Sequence, residues 1–338
     1  MVPKISICLP TLNARRFLEE RIDSIFAQTV NDWELIVCDS YSDDGTWEYL
    51  QPFDGDPRVR LYQVPREGLY AGWNECLKRV QGEYVHIATA DDTGDKMLLE
   101  TLLSGFKDSP GAMVSACECV VIDADGREIG KGPTIYDKII KSRMNGDRFA
   151  TAGWYEFALM ALCGVTWGSF SRLMFKRELF DLAGQFPVTY GISGDWAWAL
   201  RASVHGGAVH VPGRLATWRV HEGQASATWS LDGYRTYHRI FVDFVQRNEA
   251  LLRQQWNLDS KAMRRLSDAA WRRYENGTGW FLYQLRKSPI EFVMKGKFIW
   301  ELDRRLFFRR VLKGCRVRKG TIVTPESAEL FLGALGEN

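Results

Sequence analysis

The sequence lacks the glycine-rich signatures of the common nucleotide-binding loops. Neither G-x-G-x-x-G nor G-x-x-x-x-G-K-S/T follows the first apolar run, residues 5–10. The first pattern places a dinucleotide pyrophosphate at a helix N-terminus, and the second surrounds phosphates with backbone N–H groups. Their absence argues against a dinucleotide cofactor and against a P-loop. Any phosphate in this protein must therefore be held by a metal ion or by basic side chains.

Cysteine pairs, excess charge and long apolar runs are also missing. The seven cysteines are an odd number without metal-type spacing, which predicts reduced thiols and a cytoplasmic protein. A net charge of +2 gives no general attraction to nucleic acid. The longest uncharged apolar stretch, 157–170, is too short to cross a bilayer, and residues 2–14 lack the apolar region of a secretory signal.

Short apolar runs alternate with helical patterns over the first hundred residues. The strand-like runs are 5–10, 33–39, 58–64 and 84–90, and the helical patterns are 15–28, 68–80 and 97–106. Strands and helices that alternate at this spacing form a sheet of parallel strands with helices on both faces. The sequence therefore predicts an α/β fold with a mostly parallel sheet.

Polar residues follow each of the four predicted strands. They are Thr11 and Asn13, Asp39, Arg66, and the adjacent pair Asp91 and Asp92. Ligands of open parallel sheets bind at the carboxyl ends of the strands, so these residues predict a binding site at one rim. Two carboxylates there suit a divalent metal that bridges to a diphosphate. The alternative for the Asp pair is an ordinary turn.

An ordered set of motifs fills this segment. They are P-T-L-N at 10–13, S-I-F-A-Q-T at 24–29, I-V-C-D at 36–39, S-D-D-G-T at 42–46, G-L-Y-A-G-W-N at 68–74 and G-E-Y-V at 82–85. Together they resemble the opening of the family 2 inverting glycosyltransferases, which have the GT-A fold. The resemblance extends, more loosely, to about residue 228. It implies an enzyme that takes a sugar from a nucleoside-diphosphate donor.

The resemblance also implies roles for individual residues. Asp39 would accept a hydrogen bond from the imide N–H of a uracil or thymine base, Asp91 would bind ribose hydroxyls, and Asp92 would ligate Mn²⁺ or Mg²⁺. The full D-x-D motif would need an acid at Thr89. The donor site so implied comprises Pro10, Thr11, Asn13, Asp39, Arg66 and Asp91. Local structure offers alternatives, in which Asn13 and residues 42–44 cap helices while Gln28 and Asn74 make structural hydrogen bonds.

The second half resembles the catalytic part of the same family. Asp195 occupies the acid position of an E-D-x-x-x-x-x-R pattern in which Gly194 replaces the usual Glu, and it would deprotonate the acceptor hydroxyl. The alternative is that Asp195 only complements a helix dipole. His221, in R-V-H, would be the second metal ligand. Trp167 and Trp196 are candidates to stack on acceptor sugars, with burial in the core as the alternative.

These observations predict a GT-A domain over 1–228, with a nucleotide-binding half (1–110) and an acceptor half (111–228). A helical C-terminal region over 229–338 follows. Within it, 286–319 combines twelve Lys or Arg with three acids and several aromatics. This pattern predicts either peripheral binding to the inner face of the cytoplasmic membrane or a subdomain that forms a homo-oligomer.

The expected function is inverting transfer of a sugar from a UDP- or dTDP-sugar to a glycan or lipid-linked glycan during bacterial surface polysaccharide synthesis. No nucleic-acid partner is expected. Two alternatives remain open, a non-catalytic module that binds a sugar nucleotide or glycan, and a sugar-phosphate nucleotidyltransferase. The latter normally has a glycine-rich phosphate loop with a basic residue near strand one, which PTLNARR at 10–16 does not supply.

Overall fold

A computed structural model describes residues 2–130, 134–164, 166–224, 231–285 and 325–336. The chain divides into two compact units. The first consists of Met1–Phe157 with Val165–Ala227, and the second of Ala158–Gly164 with Thr228–Asn338. The basic segment 286–319, predicted to bind a membrane or a partner subunit, lies outside the described residues.

An eight-stranded sheet forms the centre of the first unit. Its strands are β1 (Ile5–Thr11), β2 (Trp33–Asp39), β3 (Val59–Gln63), β4 (Tyr84–Ile87), β5 (Ala112–Ile122), β6 (Phe149–Thr151), β7 (Leu173–Lys176) and β8 (Gly207–Arg219). The spatial order is β3-β2-β1-β4-β7-β5-β8-β6. Strands β1 to β4 pair in parallel, as do β5 and β8, whereas β7 and β6 run antiparallel to their neighbours.

Helices connect most of these strands. They are α1 (Arg15–Phe26), α2 (Thr46–Leu50), α3 (Leu69–Leu77), α4 (Leu98–Gly105), α5 (Ile135–Met144), α6 (Gly153–Cys163), α7 (Glu178–Ala183) and α8 (Gly194–His205). The apolar side of α1, with Leu18, Ile22 and Ile25, packs in the core with Ile7 and Leu9 of β1. Burial of apolar side chains against the central strands fixes the helices on the sheet.

The cysteines of the first strands belong to this buried framework. Cys8 of β1, Cys38 of β2 and Cys76 of α3 are completely buried. The Cys76 thiol donates a hydrogen bond to the carbonyl oxygen of Ile36, with Sγ and O 3.7 Å apart. Burial raises the pKa of the Cys76 thiol, so it stays neutral at physiological pH. The described cysteines are free thiols.

The predicted α/β class and mostly parallel sheet are confirmed, but one local expectation is wrong. The segment after β5 forms α5, β6 and α6 before the chain returns to the sheet in β7. The predicted strand 84–90 ends at Ile87, because only Tyr84–Ile87 pairs with its neighbours. Residues 88–93 therefore form the turn that carries Asp91 and Asp92.

The second unit is helical. Its described helices beyond residue 228 are α9 (Leu231–Trp256), α10 (Ser260–Leu285) and α11 (Pro325–Gly336). Phe241 and Leu252 of α9 are buried, as are Ala262 and Ala270 of α10. Within the described ranges, no helix has both the length and the apolar character needed to cross a membrane.

Candidate active site

The carboxyl ends of β1 and β2 meet at the buried carboxylate of Asp39. Thr11 Oγ1 donates to Asp39 Oδ1 at 2.9 Å, and Ser42 Oγ donates to the same oxygen at 2.6 Å. The Ser42 backbone N–H donates to Oδ2 at 2.9 Å. Thr11 lies directly opposite Asp39 in the parallel ladder, so strand register alone brings these two donor-site candidates together.

Asn13 holds the loop after β1 against the loop after β2. Its Nδ2 donates to Asp43 Oδ1 at 3.0 Å, and the Asp43 backbone N–H donates to Asn13 Oδ1 at 3.0 Å. The Asn13 backbone has φ +50°, a left-handed conformation that Asn tolerates well. Helix α1 has Ala14 at its N-cap, and the N–H of its first residue, Arg15, donates to Asp44 Oδ2 at 3.0 Å, so the alternative in which Asn13 caps this helix is wrong.

Arg66 and Pro10 complete this part of the rim. Arg66 Nε donates to the Ser40 carbonyl oxygen at 3.2 Å, and Nη2 lies 3.6 Å from Asp43 Oδ2. Pro10 is partly buried in β1, where it pairs with Cys38 of β2. The structure therefore gathers the predicted residues at the ends of β1, β2 and β3 into one hydrogen-bonded group.

The two carboxylates of the turn after β4 have different environments. Asp92 is 2% exposed, and its oxygens accept hydrogen bonds from Thr89 Oγ1 at 2.6 Å and from the Arg219 backbone N–H at 2.8 Å. Burial and the neighbouring charge of Asp91 raise the pKa of Asp92. Asp91 Oδ2 instead lies 3.2 Å from His221 Nε2, and its side chain is 31% exposed.

This geometry favours Asp91 as the carboxylate that reaches a metal, and the expectation that Asp92 is a ligand stays a prediction. Each oxygen of Asp92 accepts one hydrogen bond inside the protein, whereas Asp91 and His221 place a carboxylate oxygen and an imidazole nitrogen 3.2 Å apart at a more exposed position. Such a donor pair suits Mn²⁺ or Mg²⁺ whose remaining ligands come from water and a diphosphate. Within the described part of the chain, no set of three or more His, Cys, Asp or Glu side chains could hold a metal alone.

Two arginines near this turn were missed by the sequence interpretation. Arg219 is almost completely buried and donates through Nε to the Asp91 carbonyl oxygen at 2.7 Å. Arg21 of α1 is 1% exposed, and the charges of Asp92 and Asp91 act on it, although burial is the largest effect and lowers its pKa to about 10. A charged residue on the apolar side of α1 is the signal that could have revealed Arg21.

Asp195 lies in the first turn of α8. Its Oδ1 accepts a hydrogen bond from the Trp196 backbone N–H at 2.6 Å. Burial raises the pKa of the Asp195 carboxyl to about 6, against the opposing effects of that N–H and of the neighbouring Tyr70 hydroxyl. A carboxyl with such a pKa is ionised at neutral pH yet is a stronger base than an ordinary aspartate.

Tyr70 explains why glycine precedes Asp195. A Cβ atom added at Gly194 would lie 2.5 Å from Cδ2 of the Tyr70 ring and 2.6 Å from the Pro187 carbonyl oxygen. The Tyr70 hydroxyl donates to the Ile192 carbonyl oxygen at 3.0 Å, which fixes the ring in this position. The Glu that is usual at this position of the motif would not fit here without displacing the ring.

The structure contradicts the expectation that Trp167 and Trp196 stack on acceptor sugars. Both side chains are buried, with exposures of 1% and 0%. Trp167 Nε1 donates to Glu156 Oε2 at 3.0 Å in the interior of the protein. Neither indole presents a face to solvent, so both belong to the core.

Three other polar residues have the structural roles expected as alternatives. The Gln28 side chain donates to the Ser24 and Asp95 carbonyl oxygens and accepts from the Leu99 N–H. The Asn74 side chain bonds both backbone groups of Phe186, each at 2.9 Å. Asp44 accepts from the N–H of Thr46, the first residue of α2.

Comparison with known proteins identifies the class. Residues 6–173 match the model of glycosyl transferase family 2, and this part of the chain belongs to that family. The matched segment contains the loops after β1 and β2, which surround Asp39, and the turn that carries Asp91. It ends before Asp195 and His221.

Two curated relatives illustrate the range of the family. TuaG of Bacillus subtilis (strain 168), assigned by name to teichuronic acid biosynthesis, is 35% identical over 103 residues, which cover 30% of this chain and 41% of TuaG. Chondroitin synthase of Pasteurella multocida (strain Pm70) is 26% identical over 255 residues, 75% of this chain and 24% of that protein. The chain thus spans less than half the length of either relative.

A solved structure supports the fold. S. aureus TarS 1–349, crystallised in complex with UDP-GlcNAc, superposes with a TM-score of 0.59 at 16% sequence identity. The superposition covers 90% of this chain and 82% of the other. At this identity the likeness shows a shared fold and nothing more specific.

Proposed function

We propose that the protein is an inverting glycosyltransferase that moves a sugar from a UDP- or dTDP-sugar to a hydroxyl group of a glycan or lipid-linked glycan. Family membership supports sugar transfer. The observation that carries the proposal is the arrangement of one hydrogen-bonded carboxylate, Asp39, beside Thr11, a second acidic centre at Asp91, and a partly buried carboxyl at Asp195.

The donor base would bind at the Thr11–Asp39 pair. Asp39 is held by three donors, so its orientation is fixed before a nucleotide arrives. A carboxylate oxygen has lone pairs for further hydrogen bonds and can accept from the imide N–H of uracil or thymine. This preference for an imide donor disfavours cytosine, whose N3 carries no hydrogen.

Asp91 and His221 would hold a divalent cation, with Asp92 beneath them as a structural carboxylate. A bound Mn²⁺ or Mg²⁺ would neutralise the negative charge that develops on the departing nucleoside diphosphate. Asp91 would then be shared between the metal and the ribose edge of the donor. The Thr89 hydroxyl, in place of the first acid of the full motif, bonds Asp92 and Ser171.

Asp195 would act as the general base. Its carboxyl takes the proton from the acceptor hydroxyl as the oxygen forms a bond to the anomeric carbon and the bond to the diphosphate breaks. Attack from the face opposite the leaving group inverts the anomeric configuration. Its pKa of about 6 means that most molecules carry the basic form at pH 7.

Relatives named for teichuronic acid and chondroitin synthesis suggest an acceptor that belongs to an extracellular polysaccharide. We place the protein on this basis in bacterial surface polysaccharide synthesis. A lipid-linked acceptor would bring the reaction to the inner face of the membrane, which the sequence of 286–319 favours.

Calorimetric titration tests the donor and the metal together. UDP, dTDP, GDP and CMP are titrated with and without Mn²⁺ into wild type, Asp91→Ala and Asp39→Asn. We expect manganese to tighten binding of UDP or dTDP, Asp91→Ala to abolish the manganese effect, and Asp39→Asn to weaken binding in both conditions. Absence of binding by all four nucleotides would refute the donor site.

Stereochemistry and catalysis need a second experiment. Once a donor is known, NMR of the product reports the anomeric configuration directly, and retention would contradict the proposed mechanism. Asp195→Asn is expected to bind nucleotide normally and to lose transfer. If wild type also bound nucleotide without transferring or hydrolysing the sugar, a non-catalytic binding module would be favoured instead.

A further inference from the structure

Arg219 connects four separate segments of the first unit. Its backbone N–H donates to Asp92 Oδ1 at 2.8 Å, and Nε donates to the Asp91 carbonyl oxygen at 2.7 Å. Nη1 lies 3.4 Å from the carbonyl oxygens of Asp123 and Ala124, in the turn after β5. Nη2 forms an ion pair with Glu20 of α1. A single side chain that is 1% exposed thus joins α1, the turn after β4, the turn after β5 and the end of β8.

Phe17 lies between Arg219 and His221. The Arg219 guanidinium carbon is 4.8 Å from the centroid of the Phe17 ring. The imidazole of His221 packs against the same ring, with centroids 4.8 Å apart and planes inclined by 55°. The orientation of the imidazole is therefore coupled through one aromatic ring to that of the guanidinium.

Glu20 supplies the charge that Arg219 needs. Taking a guanidinium out of water is costly unless a carboxylate and hydrogen bonds compensate. The carbonyl oxygens around Arg219 accept hydrogen bonds but carry no net charge, and Asp92 bonds the backbone rather than the guanidinium. Glu20, whose side chain is 59% exposed, is its ion-pair partner among the described residues.

We infer that Phe17, Glu20 and Arg219 form a positioning cluster, which sets the relative orientation of Asp91 and His221 and thereby determines affinity for the metal–diphosphate unit. The inference rests on the proposed function. Arg219 fixes the backbone of Asp91, Phe17 fixes the imidazole of His221, and Glu20 keeps the guanidinium in place. None of the three is a catalytic residue, because each acts through Asp91 or His221.

Outer partners of metal ligands commonly change metal affinity by about 10- to 100-fold when they are mutated. Glu20 is the most informative position, because its carboxyl is at the surface and Glu20→Gln removes the charge with little change of shape. The chain also offers a matched control. Glu128 pairs with Arg214, which lies on β8 like Arg219, and its side chain is 56% exposed. Arg214, unlike Arg219, is itself exposed at 52%.

The test is calorimetric titration of UDP, with and without Mn²⁺, into wild type, Glu20→Gln, Glu128→Gln and Phe17→Leu. We expect the Kd with manganese to weaken about tenfold in Glu20→Gln and Phe17→Leu. The Kd without manganese should change less than twofold in both variants. Glu128→Gln should retain both wild-type values.

Several outcomes of this titration would overturn the positioning cluster. If the manganese-dependent Kd of Glu20→Gln stays within twofold of wild type, the positioning cluster is overturned. The cluster is also overturned if Glu128→Gln weakens UDP binding as much as Glu20→Gln does, or if the metal-free Kd of Glu20→Gln weakens as much as its Kd with manganese. A general charge or folding effect would then explain the data. If wild type binds UDP with no manganese effect, the proposed metal site fails and the cluster fails with it.

Discussion

Asp195→Asn should make the protein more stable at pH 8 while it abolishes sugar transfer. The carboxyl of Asp195 is ionised in the folded protein only at a cost, since burial raises its pKa from 3.8 to about 6. Asparagine has nearly the same shape and no charge to desolvate. Removing a carboxylate that is costly to bury therefore stabilises the folded state.

The magnitude follows from the two pKa values. Each pKa unit corresponds to about 1.36 kcal/mol, so full ionisation costs the folded protein about 3 kcal/mol as an upper limit. Asp195 is partly exposed, and water screens part of this cost. We therefore expect Asp195→Asn to raise the free energy of unfolding by about 2 kcal/mol at pH 8.

The direction of the stability change follows from how the free energy of unfolding depends on pH. Because the folded-state pKa of Asp195 is raised, the folded protein binds more protons than the unfolded chain between about pH 4 and pH 6. Wild type accordingly loses stability as the pH rises through this interval, and the Asn variant does not. The advantage of the variant should thus be about half as large at pH 5 as at pH 8.

Urea denaturation of both proteins at pH 5 and pH 8 measures this difference. Asp137→Asn is a control of opposite sign. Asp137 also lies in the first turn of a helix, α5, where burial tends to raise its pKa but Arg172 and Thr134 lower it overall. Asp137→Asn should therefore destabilise the protein at pH 8. Equal destabilisation by Asp195→Asn at both pH values would refute the reasoning, because the carboxylate would then stabilise the fold.

Three further variants test separate parts of the site. Asp39→Asn puts an amide in place of a carboxylate that accepts hydrogen bonds. UDP binding, measured by calorimetry, should weaken at least tenfold, and a wild-type Kd would contradict the base-binding role. Gly194→Ala brings a Cβ within 2.5 Å of the Tyr70 ring, so we expect a loss of about 1–3 kcal/mol in denaturation experiments, while Gly55→Ala, which meets open space, should be neutral. Tyr41→Gly relieves a left-handed backbone with φ +51° and should raise the melting temperature by about 1–2 °C; an unchanged or lower melting temperature would contradict this expectation.

The parallel strands were predictable because burial on both faces makes them continuous apolar runs. Strands β1 and β2 are of this kind, and their ends correctly indicated Thr11 and Asp39 as neighbours. The antiparallel β7 could not be predicted in the same way. Its direction depends on pairing with β4 and β5, which lie far away in the sequence.

The assignment of roles within the Asp91–Asp92 pair also depends on distant residues. The two side chains are adjacent in sequence and chemically identical, and the resemblance to the family suggested Asp92 as the ligand. The structure buries Asp92 because the Arg219 backbone N–H, 127 residues later, satisfies its carboxylate. Likewise, the sequence could not distinguish a tryptophan that stacks on sugar from one in the core, such as Trp167.

The buried thiols of Cys8, Cys38 and Cys76 provide a natural chemical reporter of local opening. A thiol without access to water reacts with an alkylating reagent only after the surrounding structure separates. Cys76 belongs to α3, the helix that also carries Tyr70 beside Asp195 and Asn74 bound to Phe186. Its alkylation rate, followed by mass spectrometry of native protein, therefore measures how often this helix leaves β1 and β2, and a nucleotide that binds at their ends should slow it.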